Sequence, residues 1–184
     1  MKDLIKKNIG GWKVFFLFVL TNIVYVIMLT ITIPKVMGFS GSMKILDMMP
    51  SGYTPEYVTS LFITLGEKGR FVYLHYQLPV DMVYPLLFGV SSCLILAYFL
   101  NKLGKLDSPL YYICLIPLLS GLFDYGENIG IITMLNTFPN NSLFVTQITN
   151  LFSILKSSFT TTYFIVLIVI LFFLAKEKLF SKVL

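Results

Sequence analysis

Four stretches of this chain run nearly free of charge for the length of a membrane crossing, and short polar segments separate them. A helix needs about 20 apolar residues to cross the hydrocarbon core. The pattern predicts spans over about 12–34, 71–100, 109–135 and 146–175. The long segment 35–70 between the first two spans has two halves. From Gly38-Phe39-Ser40-Gly41-Ser42 to Pro50-Ser51-Gly52 it is rich in turn residues. From about 55 to 68 it reads as a helix: Thr54 suits the N-cap, Pro55 the first helical position and Glu56 the first turn. Val58, Leu61, Phe62 and Leu65 recur at helical spacing, and Gly66 or Gly69 ends the run. The predicted fold class is an all-α membrane protein over residues 1–184: a four-helix transmembrane bundle with a short amphipathic helix in its first outer loop. Such a helix lies on the membrane surface or caps the bundle.

Composition narrows the function classes. Of 184 residues, 57% are hydrophobic and 12% charged, against about 45–50% and 25% in soluble domains. That excludes a soluble globular enzyme, a disordered chain and a disulfide-stapled secreted domain. The net charge of +5 is divided among segments that flank the spans, so it reads as juxtamembrane lysines facing the lipid bilayer, not as a nucleic-acid surface. Lysine and arginine number four in the N-terminal segment through Lys13, two in 101–108 and three in the tail. Segment 35–70 carries four over a longer stretch. The positive-inside rule then predicts a multi-pass cell-membrane protein with both termini cytoplasmic and 35–70 outside. Met1 to Lys13 followed by uncharged Val14 to Ile33 imitates a secretory signal. The apolar run exceeds the usual 7–15 residues and no small-residue cleavage site follows, so a retained helix is expected. Cys93 and Cys114 have no metal-like spacing and read as buried thiols. Neither a metal nor a cofactor is expected, and the sequence leaves the oligomeric state open.

The candidate chemistry lies inside the spans, where an ionisable group costs roughly 2.5–3.5 kcal/mol on the translocon scale and is kept for a reason. Asp81, Asp124, Glu127 and Lys156 are those groups, with His75 nearer the surface. Counted from the predicted outer helix ends at 1.5 Å per residue, all four lie about 12–17 Å deep. Their faces carry further polar groups. Ser120, Asp124, Glu127, Asn128 and Ile131 share one side of the third helix, Gln77, Asp81, Tyr84 and Phe88 one side of the second. Ser153, Lys156, Ser157, Thr160 and Tyr163 share one side of the fourth, and Asn22 and Tyr25 sit at similar depth on the first. Turned inward, these faces make a polar pocket opening outward. Pro85 and Pro79 have no N–H and so free the carbonyls of Asp81 and His75. The candidate ligand set is Asn22, Tyr25, His75, Gln77, Asp81, Tyr84, Asp124, Glu127, Asn128, Ser153, Lys156 and Thr160, for a small amphipathic or lipid-like molecule. If the protein is an enzyme, Asp81, Asp124, Glu127 and Lys156 are its acid–base groups. The same charges suit a structural tie between helices, as in an accessory subunit, or a proton or ion path, so three readings stand open. Gly126-x-x-x-Gly130 predicts a close helix contact within the bundle, on the side of the third helix away from Asp124.

Several blocks carry a resemblance. Gly52-Tyr53-Thr54-Pro55-Glu56, Leu65-Gly66-Glu67-Lys68-Gly69-Arg70 and Asp81-x-x-Tyr84-Pro85-Leu86 come first. Leu122-Phe123-Asp124-Tyr125-x-Glu127-Asn128 and Leu151-Phe152-Ser153-x-Leu155-Lys156 complete the set. Together, over roughly 50–160, they resemble a family of small bacterial four-helix membrane proteins without an established activity, so the resemblance implies the fold alone. A looser architectural similarity is to the EXPERA-domain proteins, which also hold buried acids in a ligand cavity. This chain departs from them in having no acid in its first helix.

Overall fold

A computed structural model describes residues 2–180. The described residues are helical, with no strand among them. A short helix, α1 (Lys2–Asn8), precedes α2 (Gly11–Met37), α3 (Pro55–Lys102), α4 (Ile116–Thr137) and α5 (Leu143–Phe180). Three of these, α2, α3 and α5, are long and apolar enough to cross a membrane, which marks the chain as a membrane protein. The expected third span differs from its prediction. Pro117 cannot donate to the carbonyl of Ile113, so the α-helical ladder begins at Ile116, and Pro109–Leu115 forms a 3-10 turn before it. Asp124, Glu127 and Asn128 dilute the apolar content of α4, which is not one of the three apolar helices.

The predicted helix at 55–68 exists, but it is not separate. Thr54 caps it through Oγ1, which accepts from the Tyr57 N–H at 3.2 Å. Its apolar stripe is buried: Val58, Leu61, Phe62 and Leu65 lie beneath it. At Gly66 the backbone takes φ 61° and ψ −176°, a conformation open in practice only to glycine. The chain bends there and runs on as the long arm of α3. Arg70 reaches back over the bend, donating to the Phe62 carbonyl at 2.7 Å with its guanidinium over the Phe138 ring.

Two π-turns shape the helices farther in. Met28–Thr32 precedes Pro34 in α2, and Tyr73–Gln77 precedes Pro79 in α3. Each widened turn ends two residues before its proline, and they meet where the Thr32 hydroxyl donates to Gln77 Oε1. The Asp81 carbonyl freed by Pro85 is taken by Asn128 Nδ2 at 3.1 Å. Nonhelical backbone groups survive at membrane depth only when protein satisfies them in this way.

Packing gives two apolar cores with a polar waist between them. One core sits under the 38–54 loop and joins Ile33, Val36, Ile45, Leu46, Phe62, Tyr73 and Met134. The other sits near α1 and joins Ile5, Leu96, Leu100, Cys114, Tyr163 and Ile170. Cys93 and Cys114 are both buried thiols in this second core. Lys2 and Lys6 hold Asp107 at 2.9 and 2.6 Å and tie α1 to the 103–108 turn. Gly121 and Gly89 let α4 and α3 approach closely: a Cβ on Gly121 would stand 2.6 Å from the Pro85 carbonyl oxygen. Gly126 and Gly130 face Phe152 and Thr149 of α5. The glycine pair therefore meets the same neighbour as Asp124, because α5 is broad enough to cover both sides of the seam.

Gly66 supplies a test free of packing effects, since a Cβ there meets nothing within 4 Å. Gly66→Ala is expected to lower unfolding stability by about 1–3 kcal/mol through backbone strain alone. Gly10→Ala, at ordinary φ −61° with open space around it, is expected to be close to neutral. Thermal unfolding of the detergent-solubilised variants compares the two.

Candidate functional site

The waist holds an unusual charge balance. Lys156 on α5 bonds Asp124 Oδ1 at 3.0 Å and pairs with Glu127 Oε2, both on α4. Ser153 donates to the other Glu127 oxygen at 2.5 Å. Ser120 bonds the Lys156 carbonyl at 3.1 Å and shares a hydrogen bond with Thr160 at 2.7 Å. These contacts fix α4 to α5 along the face the periodicity predicts. Asp81 approaches from α3, 2% exposed.

A fourth acid arrives from the loop. Asp47, in the short 3-10 turn Leu46–Met48, lines the same cavity as Asp81, Asp124 and Lys156. Ile45 and Leu46, both fully buried, anchor that turn, and the Tyr53 N–H donates to Asn150 Oδ1 of α5 at 2.7 Å. Gln77 links the loop to the helices, donating to Asp47 Oδ2 at 3.4 Å while accepting from Thr32. Burial, followed by the charge of Glu127, pushes the Asp47 carboxyl up to about 7. Lys156 pulls the other way more weakly. Sequence reasoning missed Asp47 because no periodic face carries it. The available signal was one acid inside the apolar run Ile45–Met49, bounded by turn residues on both sides.

The cavity measures about 530 Å³, inside the ~300–1,000 Å³ range of small-molecule sites. Its acids cluster near the loop. Away from them runs an aromatic wall: Tyr25 of α2 stacks on Tyr84 at 5.5 Å, Tyr84 on Phe88 at 5.7 Å, and Phe88 meets the edge of Tyr163 at 5.6 Å. Among the predicted ligand residues, Asn22, Tyr25, Asp81, Tyr84, Asp124, Lys156 and Thr160 line the cavity. Gln77, Glu127, Asn128 and Ser153 stand behind that lining, buried and holding it in place. His75 is elsewhere. It sits two residues before Gln77, about 200° around the helix, exposed and stacked on Phe71. Among the described residues no group of three or more His, Cys, Asp or Glu is arranged to hold a metal ion. Comparison with known proteins returns no match: no family, no curated protein and no solved structure is similar to this chain.

Two outcomes test these assignments. Removing one partner of a buried ion pair leaves an uncompensated charge and costs about 3–5 kcal/mol. Lys156→Met is expected to lose that much, and adding Asp124→Asn with Glu127→Gln to recover most of it in thermal unfolding. Asp47 sets a pH dependence. Its folded value lies above the ordinary 3.8, so the folded state binds the proton more tightly. The stability it contributes is complete below about pH 4 and lost as pH rises to about 7. Asp47→Asn is expected to flatten that part of the melting-temperature profile.

Proposed function

We propose that this protein is a four-helix transmembrane bundle, α2 to α5, with both termini cytoplasmic, that binds a small amphipathic or lipid-derived molecule in its central cavity. The observation that carries the reading is the division of one cavity into an acid cluster at the loop end and, along the rest, an uncharged wall of aromatic rings interleaved with hydroxyls such as Ser91, Ser92 and Thr160. An amphiphile has that same division, and a purely structural ion pair has no use for a cavity. The polar residues of α4 pack inward against α5 and α3, which supports counting α4 as a fourth span despite its lower apolar content. The lysines of α1 and of the 101–108 turn gather at one end, as the positive-inside rule asks. The apolar core near α1 lies across any route to that end, so a through-path for protons or ions is the weaker alternative.

A second reading has one observation in its favour. Asp81 faces the cavity with Oδ2 free of any hydrogen-bond donor among the described residues. No donor in the described residues occupies that oxygen, so it is open to a proton shared with a bound molecule. The same site then performs acid–base chemistry on its occupant, with Asp124, Glu127 and Lys156 beside it.

Native mass spectrometry of the gently extracted protein tests the binding reading. The expected result is one co-purified small molecule whose occupancy falls at least tenfold in Asp81→Leu, which removes both the charge and the acceptor, while the fold is kept. A clean unliganded mass, with cavity substitutions changing thermal stability alone, would reject it in favour of a structural charge network.

A further inference from the structure

The cavity is closed at both ends and open along one side. At the loop end Asp47, Met48 and Pro50 lie across it, held down by Ile45, Leu46 and the Tyr53–Asn150 hydrogen bond. At the other end Leu94, Leu96 and Ala97 close the packing. The remaining wall belongs to α2 and α5. Each packs on the helices behind it, α2 on α3 and α5 on α4, but they scarcely touch each other. Residues on both sides of that gap line the cavity and are also exposed: Phe18 is 47% and Tyr25 42% exposed on α2, and Phe164 is 50% exposed on α5. Thr161 of α5 belongs to the same rim. Both helices are mostly unburied by protein over their most apolar windows, with 17% and 11% buried, against 56% for α3. The gap therefore opens where acyl chains lie.

The polar end carries four carboxyls, of Asp47, Asp81, Asp124 and Glu127, around the single ammonium of Lys156. Lys156 is already committed to Asp124 and Glu127. Asp81 Oδ2 is buried and meets no donor among the described residues, and Asp47, with the buried Tyr73 hydroxyl beside it, adds a further carboxyl at the same end. An unmade hydrogen bond at a buried oxygen is expensive, and a second anion beside these carboxyls more so. From Asp81 to Ile95, both in the lining, the wall extends about 21 Å along α3, room for a chain below the polar end.

Resting on the binding reading above, we infer that the occupant is a membrane-dissolved amphiphile whose head donates hydrogen bonds and carries no negative charge, an amine or a polyol, and that it reaches the cavity sideways through the gap between α2 and α5. The head meets Asp81 and Asp47, and the chain lies along Tyr84 and Phe88 and leaves between the two helices.

The test uses the full chain in lipid nanodiscs with photoactivatable amphiphiles of one chain length, bearing an amine, a glycerol or a phosphate head. Cross-links are mapped by peptide mass spectrometry. The amine or glycerol probe is expected to label cavity residues of α2 and α5 at least tenfold above the phosphate probe. Asp81→Asn separates the two heads: it is expected to reduce amine labelling tenfold or more and glycerol labelling much less. Thr161→Trp, which fills the gap from an exposed position, is expected to slow loading at least tenfold. Asn22→Trp on the opposite rim serves if that variant does not fold. Loading unaffected by either tryptophan but blocked by a bulky maleimide on Pro50→Cys would overturn the sideways route and leave the binding reading intact. Phosphate labelling equal to the others would overturn the head chemistry. No competable labelling of the cavity by any probe would overturn the binding reading itself.

Discussion

A buried ammonium has to be neutralised, and the bundle is arranged around doing so. Lys156 lies largely out of solvent, its side chain 17% exposed along the cavity, and Asp124 and Glu127 both come to it from α4. Together they bring more negative charge than it cancels. Ser153 takes one Glu127 oxygen, and Ser120 and Thr160 hold the backbone that presents the lysine. The pair costs more to desolvate than its attraction returns unless every remaining polar atom is matched. That requirement explains why α4 and α5 share the most extensive helix contact. It also explains why Gly126 and Gly130 lie in it: Phe152 and Thr149 occupy the space a Cβ would need. Glycine there lets the backbones approach until the ion pair closes.

The same constraint, polar groups that must be satisfied without water, governs the helix irregularities. Pro34, Pro79 and Pro85 each remove a backbone donor, and each removal is met locally. A π-turn precedes each of the first two, and the Thr32–Gln77 hydrogen bond joins those turns across α2 and α3. Asn128 absorbs the third through the Asp81 carbonyl. That last bond holds α3 to α4 at the level of the charges, so the proline that frees the carbonyl also positions Asp81. The helix is interrupted beside a residue whose side chain lines the cavity.

How much of this could be read from the sequence followed from periodicity. The faces of α4 and α5 are regular helices, so Asp124, Glu127, Asn128, Ser153 and Lys156 could be assigned to one inner side, and all lie at the α3–α4–α5 waist. The stripe Val58, Leu61, Phe62, Leu65 was legible for the same reason. What failed has separate causes. His75 was grouped with the site by depth, although regular helical spacing already turns it away from Gln77, and it is exposed. Gly66 was readable as a break, but not that the helix resumes after it, since that depends on Arg70 reclaiming the Phe62 carbonyl. Asp47 carried no period, and its place in the site comes from a loop whose anchors, Ile45 and Leu46, bury themselves between distant helices. Local pattern reveals which side of an element is polar. It does not reveal which loop will be folded over that side.

The two apolar cores limit the directions from which the waist can be reached. The core near α1 is packed from five segments of chain and contains no ionised group among its buried members. A charge entering from that end would have to cross it unpaired, at a cost a monomer has nothing to offset. The core under the loop is as dense, with Ile45, Leu46, Leu61 and Phe62 fully buried. Between them the charges meet open space only toward α2 and α5, helices whose outer faces are covered by Phe15, Ile23, Ile165 and Phe172. An aqueous solute has no business on that side. On the binding reading proposed above, a molecule already dissolved among acyl chains would reach it, and the acids at the far end of the cavity would then select its polar group.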